Sequence, residues 1–86
     1  MRFRLTAHAR VELERRQIPL DLLESVLYNP QQIVMAGSGR KSYQSQLDFG
    51  EGRVFLLRAI VEDDADPAVV VTVYRTSKVE KYWRRS

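Results

Sequence analysis

Residues 53–61 read "RVFLLRAIV", a run that is apolar on both faces of an extended strand except at Arg58. After a short acidic stretch, residues 68–75 read "AVVVTVYR" and are again rich in β-branched side chains. Such residues favour strands, and strands without polar alternation are typical of the middle of a sheet. The two runs therefore predict the central strands of one sheet.

Shorter runs before residue 53 predict the remaining strands. Residues 1–6, "MRFRLT", alternate apolar and basic side chains with the period of a half-buried strand. The runs "QQIVMA" (31–36) and "RKSYQSQLDF" (40–49) flank the turn sequence "GSG", and "GEG" at 50–52 leads into the central pair. Glycine-rich turns between short strands indicate hairpins, so the sheet is expected to be mostly antiparallel.

Two helices are predicted between the first strand and the hairpins. Thr6 can cap a helix from Ala7 to about Gln17, which Pro19 prevents from continuing. Pro19 suits the opening of a second helix, and "YNP" at 28–30 ends it. The positions expected to face the sheet are Ala7, Val11 and Ile18 in the first helix and Leu20, Leu23, Val26 and Leu27 in the second.

This order of elements predicts a single α+β domain over residues 1–86. We expect two N-terminal helices on one face of a mostly antiparallel sheet of four or five strands, followed by a short C-terminal helix. A chain of 86 residues is long enough for one small core.

Composition narrows the functional classes. With 44% apolar and 29% charged residues the chain is of the soluble globular type, and its apolar stretches fall short of the roughly 20 residues of a membrane helix. The N-terminus has no signal-peptide pattern and cysteine is absent, so a cytoplasmic location is expected. The lack of cysteine and the single histidine argue against a zinc site, and neither a metal nor another cofactor is expected.

The C-terminal run is basic and aromatic. From Arg75 to Ser86, five Lys or Arg residues accompany a single acid, Glu80. Clustered cations suit a phosphate backbone or an acidic protein, although a solvated charged face gives the same pattern. Ser77 and Glu80 have capping-box spacing, which predicts a helix from Ser77. On that helix the positions expected to share one outward face are Lys78, Lys81, Tyr82 and Arg85, while Val79 and Trp83 would pack on the sheet.

Two further residues are ambiguous from sequence alone. Burying Arg58 without a partner would cost several kcal/mol, so it either pairs with an acid or opens into a cleft. His8 is the only side chain with an unperturbed pKa near neutrality, but its place in the first helical turn equally suits a surface or capping role.

Nearly the whole chain resembles a prokaryotic domain-of-unknown-function family. The shared pattern is carried by "HARVELERRQIPLDLLESVLYNP", the glycine-punctuated hairpins and "VVTVYRTSKVEKYW", which closes on Tyr-x-Thr-Ser-Lys. Glu12-Leu13 stands where that family usually has Arg-Met, which reverses a charge. More distantly, "ERRQIPLDLLESVLYNP", "GEGRVFLLRAIVE" and "VTVYRTSKVEKYW" resemble segments of BrnT toxins, which belong to the RelE/ParE toxin superfamily.

The resemblance to BrnT implies a RelE-like fold and a toxin of a type II toxin–antitoxin system. A RelE-like toxin would be a metal-independent endoribonuclease in which a 2′-hydroxyl attacks the neighbouring phosphate. Its implied partners are RNA, free or bound to the ribosome, and a cognate acidic antitoxin. The candidate catalytic residues are His8, Arg58, Tyr74, Arg75, Lys78, Lys81 and Tyr82, and the candidate RNA-binding residues are Arg40, Lys41, Arg84 and Arg85.

The alternative is a non-catalytic module that binds nucleic acid or a partner protein through the basic C-terminal face. Most of the same residues would serve it. Only chemistry beyond binding separates the two hypotheses.

Overall fold

A computed structural model describes residues 1–85 and confirms the predicted α+β fold. Two helices follow a short first strand, and four further strands and a short C-terminal helix complete the order. The elements are β1 (Phe3–Leu5), α1 (Ala7–Arg15), α2 (Leu20–Tyr28), β2 (Gln32–Met35), β3 (Lys41–Asp48), β4 (Val54–Glu62), β5 (Ala68–Thr76) and α3 (Val79–Tyr82).

The strands form one sheet in the order β1-β5-β4-β3-β2. The two runs predicted to be central, β4 and β5, are inner strands, whereas β1 and β2 are the edges. Consecutive strands from β2 to β5 pair antiparallel, and only β1 runs parallel to its neighbour β5. The sheet is therefore mixed but mostly antiparallel.

Cross-strand register assigns the side chains to two faces, because directly paired residues point to the same side of a sheet. Tyr43, Ala59 and Val73 are partners across β3, β4 and β5 and belong to the buried apolar core. Their side is the helix face, since the core also contains Leu23 and Val26 of α2. The opposite side, which the C-terminal segment crosses, is the tail face.

The inner side of α1 differs from the predicted one. Val11 is 58% exposed and Ala7 is exposed as well, whereas Ala9 and Glu12 are buried and Leu13 packs against the core. The helix lies along β5, and its start is fixed by the predicted Thr6 cap, whose hydroxyl accepts a hydrogen bond from the Ala9 amide at 3.0 Å. The apolar pattern missed this side because it contains the charged Glu12.

The predicted helix at the C-terminus exists, but the expected capping box does not form. The helix begins at Val79, within two residues of Ser77, and no side chain caps it. The amide of Lys78, the residue before the helix, instead donates to Thr76 Oγ1 at 3.0 Å, and Glu80 pairs with Arg85. The helix has only four residues and includes neither Lys78 nor Arg85. It therefore does not form the predicted outward face of Lys78, Lys81, Tyr82 and Arg85.

No helix within residues 1–85 is long and apolar enough to cross a membrane.

We expect Leu23→Ala and Leu20→Ala to differ in their free energy of unfolding, although the sequence pattern predicts both leucines on the inner side of α2. Leu23 is fully buried and Leu20 is 60% exposed. Removing the buried side chain should lower the free energy of unfolding by about 2 to 5 kcal/mol, and removing the exposed one by less than about 0.5 kcal/mol. Urea unfolding of both variants measures this, and equal losses would contradict the packing described.

Candidate functional site

A row of polar side chains crosses the tail face through four strands. Gln32 of β2 pairs with Gln44 of β3, Gln44 with Arg58 of β4, and Arg58 with Tyr74 of β5. Direct cross-strand partners stand about 5 Å apart on one face, so the four side chains form a continuous line. We call these four residues the polar row.

Arg58 is the charged centre of this row. Its Nε donates to Gln44 Oε1 at 2.8 Å, and its Nη1 donates to the Tyr74 hydroxyl. The guanidinium carbon lies 4.2 Å from the centre of the Tyr82 ring and 5.7 Å from that of Tyr74. Two neutral acceptors and two aromatic rings therefore surround a cation that is only 7% exposed.

Neither alternative expected for Arg58 describes it fully. None of the ion pairs among residues 1–85 includes Arg58, so it has no carboxylate partner within this part of the chain. It is not open to solvent either, because it is only 7% exposed. A buried cation without a counterion is costly, so Arg58 is an unusual feature of a surface already rich in cations and tyrosines.

One edge of the guanidinium remains available. The nitrogen Nη2 takes part in none of the described hydrogen bonds. Because no fully buried side-chain nitrogen or oxygen in the described chain lacks a partner, Nη2 is not completely shielded from solvent. Arginine can thus still offer this side of its planar fork to an external oxyanion.

The C-terminal segment is held over the polar row by backbone contacts. The Gln44 amide donates to the Tyr82 carbonyl at 3.1 Å and to Gln32 Oε1 at 3.0 Å. Gln32 in turn binds both the carbonyl and the amide of Arg84. These contacts position the Tyr82 ring on Arg58.

The two tyrosines next to Arg58 are perturbed in opposite directions. Burial raises the pKa of Tyr74 above its ordinary value despite the opposing effect of Arg58. The adjacent Lys81 ammonium is the main cause that lowers the pKa of Tyr82, with further contributions from Tyr74 and Arg58. Tyr74 therefore stays protonated, while Tyr82 gives up its proton more readily than an ordinary tyrosine.

Helix α1 adds a second guanidinium on the β5 side. Arg16 lies with its guanidinium carbon 5.9 Å from the centre of the Tyr74 ring. Its Nε donates to Glu12 Oε1 at 2.9 Å, and Arg15 donates to both oxygens of the same carboxylate. Glu12 thus does not present a negative charge to an external partner but holds two arginines.

His8 lies at the rim of the tail face. Its Nε2 is 3.1 Å from Thr72 Oγ1, and Thr72 precedes Tyr74 by two residues on the same side of β5. The structure therefore brings five of the predicted catalytic residues to the tail face: His8, Arg58, Tyr74, Lys81 and Tyr82.

Arg75, another predicted catalytic residue, is on the other side of the sheet. It follows Tyr74 directly, and successive side chains of a strand point to opposite faces. Its guanidinium lies over Phe49 and Phe55, at 4.7 and 4.8 Å from the ring centres. Lys78 is exposed at the start of α3, and neither residue contacts Arg58 in the described chain.

The predicted RNA-binding residues are also dispersed. Arg40 pairs with Glu62 at the end of β4 at 2.8 Å, and Lys41 pairs with Asp63 directly after it at 3.2 Å, so both cations have acidic partners. Arg85 pairs with Glu80, and Arg84 is exposed with its backbone bound to Gln32. Of these four residues, only Arg84 and Arg85 lie on the segment that crosses the polar row.

No cluster of three or more His, Cys, Asp or Glu side chains that could hold a metal ion occurs within residues 1–85. The chemistry available at the polar row is that of guanidinium, ammonium, phenol and imidazole groups.

A protein-family comparison matches residues 5–75 to the domain of unknown function DUF4258. The chain belongs to the DUF4258 family. Neither a curated protein nor a solved structure gives a match. The region matched to DUF4258 contains His8, Arg16, Arg58 and Tyr74, whereas α3 with Lys81 and Tyr82 lies beyond it.

Sequence reasoning missed Gln32, Gln44 and Arg16 as parts of this site. The glutamines lie in strands of mixed polarity, where only the pairing register shows that they stand beside Arg58. Arg16 lies at a charge-rich helix end, and such a pattern is typical of solvent-exposed surface. Its spacing of four from Glu12 was the available signal, because such pairs meet on a helix.

We expect Glu12 to contribute to stability against acid. Its two arginine partners hold the pKa of Glu12 at about 2, below the ordinary value of 4.5. A carboxyl group with a lowered folded-state pKa stabilises the protein above its unfolded pKa, and the contribution is lost as the pH falls towards the folded value. The urea midpoint of the wild type should therefore decline between about pH 5 and pH 2.

Glu12→Gln should show a flatter decline over this range, measured by urea unfolding in steps of pH. Glu14→Gln, a change at an exposed carboxylate of the same helix, is the matched control and should follow the wild type. A Glu12→Gln profile parallel to that of the wild type would contradict the coupling to Arg15 and Arg16.

Proposed function

We propose that this chain binds RNA at the polar row and cleaves it as a metal-independent endoribonuclease, acting as the toxin of a type II toxin–antitoxin pair. The observation that carries the proposal is the buried Arg58, which has no carboxylate partner among residues 1–85 and whose Nη2 makes none of the described hydrogen bonds. A phosphodiester group is one of the oxyanions to which a guanidinium donates strong hydrogen bonds.

The groups around Arg58 match the needs of the reaction. The 2′-oxygen attacks the adjacent phosphorus and loses its proton to a base, and the bond from phosphorus to the 5′-oxygen breaks. The products are a 2′,3′-cyclic phosphate and a 5′-hydroxyl, which takes up a proton from an acid. Charge grows on the phosphate oxygens in the transition state, where a preorganised guanidinium stabilises it most.

Tyr82 serves as the base in this proposal. Lys81 and Arg58 favour its phenolate, and its ring already lies against Arg58. A base with a pKa nearer to the working pH is more often in the required state. Lys81, whose Nζ is 5.3 Å from the Tyr82 ring centre, supplies the proton to the leaving oxygen. Tyr74 remains protonated and orients Arg58.

The resemblance to BrnT and the RelE/ParE superfamily supports the toxin assignment, and so does the order of two helices before a mostly antiparallel sheet. An acidic antitoxin segment would meet the exposed cations of the C-terminal segment, Lys78, Lys81 and Arg84. Such a contact would be salt-sensitive because exposed charges are screened.

A non-catalytic RNA-binding module is the second candidate. The contacts of Arg58 favour this candidate. Two nitrogens of its guanidinium already donate to Gln44 and Tyr74, and one face of the group is covered by the Tyr82 ring. In that case Nη2 would contribute to affinity, and no bond would be cleaved.

We expect Tyr82→Phe to separate the two functions. The phenylalanine keeps the ring on Arg58 but removes the hydroxyl, so the melting temperature and RNA affinity should change little. Cleavage should fall by about a hundredfold or more, as is typical when a general base is lost. The assay is cleavage of labelled RNA, with and without ribosomes.

Tyr28→Phe is the matched control, because Tyr28 is exposed on α2 and away from the polar row. It should cleave like the wild type. If the wild type binds RNA but cleaves none under either condition, the binding module is correct. If Tyr82→Phe cleaves at the wild-type rate, Tyr82 is not the base.

We further expect growth arrest when the wild type is expressed alone, and normal growth with Arg58→Gln at equal soluble abundance. The glutamine removes the charge that the proposal places on phosphate. Colony counts after induction provide the measurement, with Arg40→Gln as the control because Arg40 is paired with Glu62. Normal growth with the wild type would contradict the toxin assignment.

A further inference from the structure

A second group of cations and aromatic rings lies at the end of the sheet formed by the β3–β4 hairpin. Phe49 and Phe55 pack edge to face, with ring centres 5.5 Å apart. The Arg75 guanidinium lies over both rings, and that of Arg53 lies 5.8 Å from the Phe55 centre. Two guanidinium groups from different strand ends thus share the Phe55 ring.

Stacking fixes these guanidinium groups without using their hydrogen-bond donors. A cation held over a ring keeps its N–H groups at the edge of its plane, where they can bind an oxyanion. None of the side-chain hydrogen bonds or ion pairs described within residues 1–85 engages Arg53 or Arg75. Arg53 is exposed and Arg75 half-buried, so solvent reaches the pair.

No acidic side chain among residues 1–85 forms an ion pair with Arg53 or Arg75. Asp48 lies in the same hairpin, where its Oδ1 accepts the Gly50 amide at 2.7 Å. Glu51 is exposed at the turn and forms no described ion pair. Two positive charges oriented by rings, with no salt bridge, have the composition of a phosphate-binding site.

The position of this group relates it to the polar row. Arg75 and Tyr74 are consecutive in β5 and point to opposite faces, and Arg58 pairs with Tyr74 across the sheet. A flexible single strand can pass from one face to the other around the end of β5. A duplex is too stiff to follow that path.

We propose that Arg53 and Arg75, supported by Phe49 and Phe55, form a second phosphate-binding site that holds a more distant part of the same single-stranded RNA. This inference rests on the proposed RNA binding at the polar row but assigns no catalytic role to Arg75. The second site contributes affinity for longer strands, whereas the polar row acts on the phosphate that is cleaved.

The test uses fluorescence anisotropy with labelled single-stranded RNAs of 4 and 12 nucleotides over a range of salt concentrations. We expect Arg53→Ala/Arg75→Ala to weaken binding of the 12-mer about tenfold, with a salt slope smaller by about 1.4 because each single-strand phosphate contact contributes about 0.7. Binding of the 4-mer, and the cleavage rate at saturating RNA, should be those of the wild type.

Two variants control for folding and for general loss of charge. Arg53→Ala alone removes an exposed side chain and should lower the salt slope by about 0.7 without affecting the fold. Arg2→Ala/Arg4→Ala removes two exposed arginines, one directly before β1 and one within it, and should leave binding of the 12-mer nearly unchanged.

The second site is refuted if Arg53→Ala and the double variant bind the 12-mer with wild-type affinity and salt slope, or if the Arg2→Ala/Arg4→Ala control weakens binding equally. Failure of the nuclease proposal is a separate result. A wild type that cleaves nothing, while the double variant still loses affinity for the 12-mer only, would support the second site without catalysis.

Discussion

The Arg58 guanidinium is the group around which the tail face is built. It projects from an inner strand of the sheet and is almost fully buried, yet no acid among residues 1–85 pairs with it. The cost of burying its charge is offset by hydrogen bonds to Gln44 on β3 and Tyr74 on β5 and by the Tyr82 ring of the C-terminal segment. Neutral acceptors and aromatic faces lower the cost of burying a cation, but they leave its positive charge in place. The polar row therefore remains a positive site even though each buried polar atom has a partner.

The requirement to surround Arg58 explains features that look unrelated in the sequence. Gln44 is fully buried because it accepts from Arg58 and Ser42 and donates to Gln32 and to the Tyr82 carbonyl. The C-terminal segment, with only four helical residues, is positioned by these glutamines rather than by a cap. Next to β5, the buried Glu12 of α1 forms an ion pair with Arg16, and this pair positions the Arg16 guanidinium near the Tyr74 ring. One network of contacts thus joins the first helix, four strands and the end of the described chain.

The sequence predicted the fold better than the site, and the reason is physical. Burial of apolar side chains sets the period of each element, so the strands, the helix order and the central position of "RVFLLRAIV" could be inferred from hydrophobic spacing. The polar row depends on cross-strand register, which no local pattern specifies in strands of mixed polarity such as "KSYQSQ". Sequence proximity also put Tyr74 and Arg75 in one candidate site, although the pleat of β5 points their side chains to opposite faces. Likewise, the inner side of α1 includes the charged pair of Glu12 and Arg16, whereas apolar spacing predicts the exposed Val11 at that side.

We infer that Arg58 serves an external anion and not folding, and Arg58→Met distinguishes these two roles. Methionine fills a similar volume without charge, and replacing buried ionic groups by apolar ones is often neutral or stabilising. Gln44 Oε1 retains Ser42 as a donor in this variant. We expect a free energy of unfolding within about 1 kcal/mol of the wild type, together with loss of RNA binding and cleavage. A fall of about 3 kcal/mol or more in unfolding free energy, with RNA binding unchanged in the folded fraction, would contradict it.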